Sequence, residues 1–428
     1  MSKVIHSKHF KHIILALLFL GWCLGNLDRF VINYAVVSIS EDLGLSASSQ
    51  GIILSSFFLG YAIMQIPGGA LADRFGYRKV ILFSLFSWSV FTMITGSAWS
   101  LVSLVLVRFL FGIGEGGFFP SGSKAIAVNF PVNQRSSAMS VMLASGAIMG
   151  VVTPIVSGFA LESIGWRTLF HIFGIIGLII TALMFFFLKE PARTPAPVQI
   201  SSPASKKNAS LKTVLKSPII WGLFLSYFSI YAVNWGLSSW MPTYMVNVRG
   251  LNLKEMGMLS AIPGLIGIIT MLLGGYLMDR IPAGKDRTIS AVFGLIVAAS
   301  LYLMSTAESI ALFITYETIV RIAAGFVSTL IISKSVKAMP ETVAATASGF
   351  VNTGAQLAGF LTPMLIGFLV DASGGSYNTA FLMLIGFAVI CSISLLLTAV
   401  HSQSCRPSRK RPDHLRMPYS TKKRCLHS

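Results

Sequence analysis

The stretch Gly69-Ala70-Leu71-Ala72-Asp73-Arg74-Phe75-Gly76-Tyr77-Arg78-Lys79 joins two apolar segments, each long enough to cross a lipid bilayer. An altered copy, Gly274-Gly275-Tyr276-Leu277-Met278-Asp279-Arg280, occurs later in the chain, with Asp279 placed 206 residues after Asp73. Because the charged turn recurs at the same place in each half, the sequence predicts a fold that is built twice.

The composition is that of a membrane protein. Apolar residues make up 54% of the chain, charged residues 11%, and the mean hydropathy is +0.74. Twelve apolar runs each exceed the roughly 18 residues that span a bilayer. They fall at 13–40, 51–72, 80–98, 101–128, 136–160, 168–188, 218–246, 257–278, 288–306, 310–333, 343–370 and 378–400. Since lipid excludes open sheet, we predict an all-α membrane protein of twelve transmembrane helices in two pseudo-symmetric six-helix bundles.

The domain boundaries follow from these runs. We expect a first bundle over 1–188, a cytoplasmic linker over 189–217, a second bundle over 218–400 and a basic tail over 401–428. The linker is rich in proline, serine and lysine, which is typical of a connecting segment. The first run is too long for a secretion signal, so we expect it to remain as a helix.

The net charge of +18 is distributed unevenly. With the N-terminus in the cytoplasm, 26 of the 33 lysine and arginine residues fall on the cytoplasmic side. This agrees with the positive-inside rule and predicts a multi-pass protein of a bacterial inner membrane with both termini cytoplasmic. Anionic lipid is then the expected partner of the basic loops and tail, and nucleic acid is not.

Metal and cofactor chemistry is not indicated. Cys23, Cys391, Cys405 and Cys425 lack the spacing of metal ligands, and we interpret them as reduced. A phosphate-binding loop of the Gly-x-x-x-x-Gly-Lys-Ser type is also missing from the sequence. We therefore predict a transporter driven by a gradient, without a cofactor, rather than an enzyme.

Seven ionisable residues fall inside the predicted helices, where they are costly and therefore functional candidates. They are Asp28, Arg29, Arg108, Glu115, Lys124, Glu317 and Arg321. In the first helix Arg29 shares a face with Asn26 and Asn33, which suits a hydrated cavity, whereas Asp28 points toward a neighbouring helix. A local ion-pair network that holds helices together is the alternative.

In the fourth helix, Arg108, Gly112 and Glu115 share one face, with the carboxylate near mid-membrane. The charged form of a carboxylate is disfavoured there, so Glu115 can gain and lose a proton during transport and is our leading proton carrier. A structural pairing of Glu115 with Arg108 or Arg29 stays open. Lys124, farther along, is expected to reach the cytoplasmic interface.

Three segments carry a resemblance to a known family. Asn26-Leu27-Asp28-Arg29, the stretch from Tyr61 to Gly69, and the stretch from Arg108 to Pro120 resemble the anion:cation symporters of the major facilitator superfamily. That family includes bacterial galactonate, glucarate and hexuronate permeases. The likeness extends over residues 12–400 and is strongest in the first six helices.

The resemblance implies roles for individual residues. Asp28 and Glu115 would take part in proton coupling, with Arg108 supporting them. Arg29 would bind the substrate carboxylate, with Tyr61 and Gln65 as further substrate contacts. One departure concerns the fifth helix, where the permeases tend to carry a polar amide and this chain has Met142-Leu143-Ala144-Ser145-Gly146-Ala147. The substrate is therefore expected to be less hydroxylated.

The second half contributes polar residues at helical spacing. Tyr231 and Asn234 in the seventh helix, and Asn352 and Gln356 in the eleventh, are candidate substrate contacts. Glu317 and Arg321 stand four residues apart in the tenth helix, and we interpret them as a structural ion pair.

The charged turns resemble the superfamily's cytoplasmic gate, in which the aspartate bridges to an arginine when the protein faces outward. The corresponding residues are Asp73, Arg74, Arg78, Arg135 and Asp279. A solvated turn that fixes topology is the alternative interpretation.

We predict a secondary active transporter that carries a small organic anion together with protons by alternating access, and that works as a monomer. Three alternatives remain: an organophosphate or anion exchanger without proton coupling, a proton-coupled drug efflux antiporter, and a ligand sensor that does not transport. The buried arginines disfavour a cationic drug.

Overall fold

The computed structural model describes residues 8–190, 214–278, 286–339 and 341–398. Over these ranges the secondary structure is helical throughout, as predicted, without strands. The helices are α1 (Lys8–Leu43), α2 (Ala47–Phe75), α3 (Tyr77–Thr95), α4 (Leu101–Asn129), α5 (132–164), α6 (166–187), α7 (Pro218–Asn247), α8 (Leu253–Met278), α9 (Asp286–Thr306), α10 (Ile310–Lys337), α11 (Glu341–Ala372) and α12 (Asn378–Leu397).

The count of twelve agrees with the sequence. Ten helical stretches of the described chain are long and apolar enough to cross a membrane. One of them, Val132–Phe187, is 56 residues long and is interrupted at Gly165, whose φ of 72° is non-helical, so it forms α5 and α6. The 26-residue α8 completes the set. The predicted all-α fold of twelve membrane helices is therefore confirmed.

Local sequence sets several helix ends. The Ser46 hydroxyl accepts a hydrogen bond from the Ser49 amide at the start of α2, and Ser100 and Ser103 form a reciprocal capping box at the start of α4. Gly76 separates α2 from α3 with φ at 94°, a value that favours glycine. The charged turn is thus a sharp connection of a single residue between α2 and α3.

The loops alternate between two faces of the bundle. We call the face where α1 begins and α12 ends the tail face, and the face where α1 ends the far face. The basic tail over 401–428, Asp279 and most of the linker over 189–217 lie outside the described residues. The domain boundaries stay predictions.

The two halves, α1–α6 and α7–α12, meet closely near the far face. Gly51 of α2 lies against the backbone of Pro363 in α11, and Gly158 of α5 lies against Gly257 of α8. These glycines leave no room for a side chain, which permits close helix approach. Toward the tail face the α2 surface is instead open, with Ile66 85% exposed. The described contacts therefore close the space between the halves at the far face.

Candidate functional site

Two connected cavities lie between the halves, with volumes of about 350 and 390 Å³. Both are lined by Phe30 of α1, Ser238 of α7 and Arg321 of α10. The first cavity adds Asn33, Tyr34 and Glu317, and the second adds Tyr231, Asn234 and Trp235. Their size and mixture of apolar and polar walls suit a small polar ligand.

The central charged contact of the first half joins α1 to α4. The Arg29 guanidinium donates to the Glu115 carboxylate, and the two side chains are 13% and 0% exposed. Sequence analysis left open whether Glu115 pairs with Arg29 or with Arg108, and the structure gives Arg29. Oε2 of Glu115 has no hydrogen-bond partner among the described residues. The pair is therefore strong but incompletely satisfied.

Aromatic rings surround the two guanidinium groups. The guanidinium of Arg29 lies 4.7 Å from the centroid of the Tyr61 ring and 5.0 Å from the centroid of the Phe57 ring. That of Arg108 lies 5.5 Å from the same Phe57 ring and 4.6 Å from Phe111. These are cation–π distances, and such contacts hold a guanidinium in place without neutralising it.

Asp28 and Arg108 are buried behind this contact, with exposures of 1% and 2%. Within the described chain neither oxygen of Asp28 has a hydrogen-bond partner, and the hydroxyl of Thr92 faces the carboxylate. A charged carboxylate in such a position is costly. This environment suits a group that gains and loses a proton.

A narrow pocket lies beside this charged group and shares lining residues with both main cavities. Arg29 and Arg108 line it together with Phe30 and Trp235, whose rings stack at 6.2 Å between centroids. Phe30 also lines both main cavities, and Trp235 lines the second. The aromatic pair therefore stands between the first-half arginines and the open cavity.

The predicted substrate contacts differ in position. Tyr231 and Asn234 line the second cavity, and the Tyr231 hydroxyl accepts a hydrogen bond from Tyr227 at 3.2 Å. Tyr61 contacts Arg29, and Gln65 lies beside Tyr61. The partly buried Asn352 and Gln356 on α11 are not among the described residues that line the three cavities. Binding roles for all of them stay predictions.

The α5 wall is as apolar as the sequence suggested. Gly146, Ala147, Met149 and Gly150 face the first cavity, and Thr153 is the nearest polar side chain of that helix. Gly146 leaves room for the Asn26 side chain of α1.

The pair of Glu317 and Arg321 forms as predicted, at 3.3 Å. Both residues line the first cavity, a position that sequence analysis missed when it interpreted them as structural. The arginine also donates to the Ser238 hydroxyl at 2.9 Å and to the Asn234 carbonyl at 3.3 Å. The sequence did indicate Glu317 and Arg321 as candidates, because both are ionisable residues inside a predicted membrane helix.

The predicted gate residues have separate contacts. Asp73 pairs with Lys124 at 2.8 Å, and Lys124 also donates to the Ala72 carbonyl. Arg78 donates to the carbonyls of Phe185 and Leu188 at the end of α6, so it caps that helix. Arg135 donates to the Phe130 carbonyl at 3.1 Å.

Arg74 completes the described gate residues and lies 5.2 Å from the Phe75 ring. Lys124 as the partner of Asp73 was not foreseen. A gating role for these residues stays a prediction.

Comparisons with known proteins agree with this architecture. The chain is 30% identical over 407 residues to the probable sulfoacetate transporter SauU of Cupriavidus necator, covering 90% of this chain and 93% of that protein. It is 29% identical to the hexuronate transporter of Bacillus subtilis, with the same coverage. The probable galactarate/D-glucarate transporter GarP of Escherichia coli is 27% identical, covering 92% and 95%.

Solved structures support the fold. A bacterial homologue of the human lysosomal transporter Spinster, in an inward-facing and unoccupied conformation, matches with a TM-score of 0.77 and 22% identity over 92% of this chain and 96% of that one. A D-xylose-proton symporter matches with a TM-score of 0.72 and 17% identity, over 92% and 98%. Residues 18–363 match the sequence model of the Major Facilitator Superfamily. With twelve helices around a central cavity and this match, the chain belongs to the major facilitator superfamily of membrane transporters.

Proposed function

We propose that this protein is a secondary active transporter that carries a small organic anion together with protons. The buried contact between Arg29 and Glu115, beside the narrow pocket between the halves, is the observation that supports this best. An arginine is the residue best suited to hold a carboxylate or sulfonate. Here that arginine is occupied by a carboxylate of the protein itself.

Proton coupling follows from competition for Arg29. When Glu115 is ionised, it neutralises the guanidinium and blocks the anion. When Glu115 binds a proton, the ion pair weakens and Arg29 can donate to the substrate instead. Binding of proton and anion is therefore mutually favourable, as linkage requires. Asp28 and Arg108 are buried behind this contact and interact electrostatically, and we propose that they relay or hold a further proton.

The direction of transport depends on which face is cytoplasmic. We propose that the tail face is the cytoplasmic one, because most basic residues lie in its loops. The described conformation is then closed on the outer side. The halves would rock about the central site to expose it alternately. Asp73 and Lys124, near the cytoplasmic mouth, would contribute to the inner gate.

The names of the relatives support the substrate class, since they are given as transporters of sulfoacetate, hexuronate and galactarate or glucarate. We propose a small sulfonate or carboxylate as the substrate, a bacterial inner membrane as the location, and a monomer as the working unit. Anionic lipid would contact the basic loops.

Uptake into proteoliposomes tests the proposal. The purified full-length protein is given radiolabelled glucarate, gluconate, glucuronate and sulfoacetate, with and without an inward proton gradient. We expect gradient-driven accumulation of at least one anion. Glu115→Gln should abolish accumulation while exchange of labelled for unlabelled substrate continues, because the neutral amide mimics the protonated state.

Glu308→Gln is the matched control, since this acid is exposed near the far face and lies away from the cavities. It should leave uptake unchanged. If uptake by the wild type were the same with and without the proton gradient, proton symport would be contradicted and an anion exchanger favoured. Binding without uptake or exchange would favour a ligand sensor.

A further inference from the structure

The second half contains its own pair of opposite charges at the cavity wall. Glu317 and Arg321 both line the first cavity, whereas Arg29 lines the narrow pocket and Glu115 lies behind it, 0% exposed. The proposed function uses the first-half pair alone. The second pair therefore requires its own explanation, and the inference below rests on the proposed function.

Arg321 is held as a binding residue would be. The Ser238 hydroxyl and the Asn234 carbonyl accept from one nitrogen of its guanidinium, which fixes the side chain against α7. Its side chain is 22% exposed, and it lines both cavities. The guanidinium is thus anchored on one side and accessible on the other.

The contact with Glu317 is weak for two opposite charges. One nitrogen of Arg321 lies 3.3 Å from one carboxylate oxygen, longer than the roughly 2.7–2.9 Å typical of a charge-assisted hydrogen bond. The other oxygen of Glu317 is buried and has no hydrogen-bond partner among the described residues. A pair that served only to hold helices together is expected to satisfy both oxygens.

Charge balance extends this observation. Arg29 and Arg108 interact with Asp28 and Glu115 in the first half, and Arg321 with Glu317 in the second, so each of these two groups is neutral when all its members are ionised. An anion brings uncompensated charge into this low-dielectric site unless a carboxylate is neutralised. Each half offers one arginine that a protonated glutamate would release.

We propose that Arg321 is a second anion-binding residue and that the transported substrate is a dianion. One anionic group is held by Arg29 in the first half, and the other replaces Glu317 at Arg321 in the second. Glu317 accepts a proton as its contact is given up, and the N–H that it had bound donates to the substrate. The two negative charges of the substrate then enter together with two protons.

The surroundings of Glu317 fit this exchange. The titratable side chains on the described walls of the two cavities are Tyr34 of α1, Tyr231 of α7 and the pair itself; α8 and α5 contribute none. Tyr34 interacts electrostatically with both members of the pair. It lies five residues beyond Arg29, or about 7.5 Å along α1 at about 1.5 Å per residue. That offset suits two anionic groups on one short chain.

The experiment compares probes that differ by one charge. Glucarate and gluconate share a six-carbon chain and carry two carboxylates and one, and sulfoacetate and propionate form a shorter pair. We expect the wild type to take up the dianion of at least one pair about tenfold faster than its monoanion. Arg321→Gln should remove that preference by slowing the dianion at least tenfold while monoanion uptake changes less than twofold.

Arg321→Gln leaves the buried Glu317 without its partner and could therefore misfold. The double variant Glu317→Gln/Arg321→Gln removes both charges together and controls for this, and Glu317→Gln removes the acid alone. Glu317→Gln should keep dianion exchange and lower the number of protons per substrate by one, measured from the pH gradient that just balances a fixed substrate gradient. Equal slowing of both probes in folded Arg321→Gln protein would overturn the inference.

The two proposals fail in different ways. Gradient-driven uptake of a dianion that Glu115→Gln abolishes and Arg321→Gln leaves intact would refute the dianion inference alone. If no anion of the panel is taken up by the wild type in a proton gradient, both proposals are refuted.

Discussion

Asp371 connects the two halves at the far face, and its replacement by asparagine should change the conformational equilibrium. The carboxylate at the end of α11 accepts from the backbone amides of Ala47 at 3.0 Å and Ser48 at 2.8 Å, and from the Ser48 hydroxyl. It therefore caps the N-terminus of α2 from the opposite half. This contact must break whenever the far face opens.

The size of the effect follows from what the amide retains. The asparagine side chain of the Asp371→Asn variant would keep one acceptor oxygen and the geometry of the cap, and would lose the charge at the positive end of α2. A hydrogen bond to a charged group contributes about 1.5–3 kcal/mol, and loss of a helix cap costs about 1 kcal/mol. Because the site is exposed, we expect about 1–2 kcal/mol, which shifts the ratio of closed to open far face by about 5- to 30-fold.

Distances between spin labels measure that ratio. The labels are placed on cysteines introduced at Glu41 and Asn378, exposed positions at the far-face ends of α1 and α12, in a chain whose own cysteines are replaced. The variant should increase the long-distance population. Asp42→Asn is the matched control, because Asp42 pairs with Arg167 at 2.9 Å within the first half. It should leave the distribution unchanged.

Two results would refute this reasoning. If folded Asp371→Asn protein gave the wild-type distribution, the cap would not contribute to far-face closure. If Asp42→Asn produced an equal shift, the effect would arise from general surface charge and not from the contact between halves.

Three further substitutions test other parts of the structure. Gly112→Ala should lower the melting temperature by several degrees, because the added Cβ would collide with the backbone of α2 at the α2–α4 contact. Phe57→Leu should raise the KM of uptake about three- to tenfold, since the ring lies against both first-half guanidinium groups and such contacts contribute about 0.5–2 kcal/mol. Glu190→Gln should lower the melting temperature slightly and leave the KM unchanged, because Glu190 accepts from the Tyr77 and Arg78 amides at the start of α3, outside the cavity. Thermal unfolding in detergent and initial rates of uptake measure these outcomes, and an unchanged melting temperature for Gly112→Ala would contradict the packing argument.

The helices could be predicted because lipid imposes a simple rule on the chain. A membrane span must be apolar over its length and must satisfy its own backbone, so hydropathy alone locates it. The run predicted over 218–246, for example, is observed as Pro218–Asn247. Buried charge is rare under the same rule, which is why Arg29 and Glu115 stood out among the apolar residues of their helices.

Contacts between helices were harder to predict, because spacing along one helix does not fix which neighbour its face meets. The gate shows this. The resemblance implies that Asp73 bridges to an arginine, for example Arg135, when the protein faces outward, and in the described conformation Asp73 pairs with Lys124 on α4, which was not foreseen. Arg78 lies in the same charged turn, yet it binds carbonyls at the end of α6. Rotation and tilt of each helix are set by packing.

The partner of Glu115 is the contact on which the proposed coupling depends. Pairing with Arg108 would have joined two residues of α4, and a proton on the carboxylate would then have changed charge within one helix. Pairing with Arg29 joins α4 to α1 and occupies the residue proposed to bind the anion. In the proposed coupling, a proton on Glu115 would therefore change the affinity of the site directly, without a conformational signal passed between helices. The same logic applies to Glu317 and Arg321 in the second half, where one helix provides both charges and α7 provides the anchor. The proposed coupling by competition needs an arginine that a protein carboxylate and the substrate can share, and each half pairs one arginine with a buried glutamate.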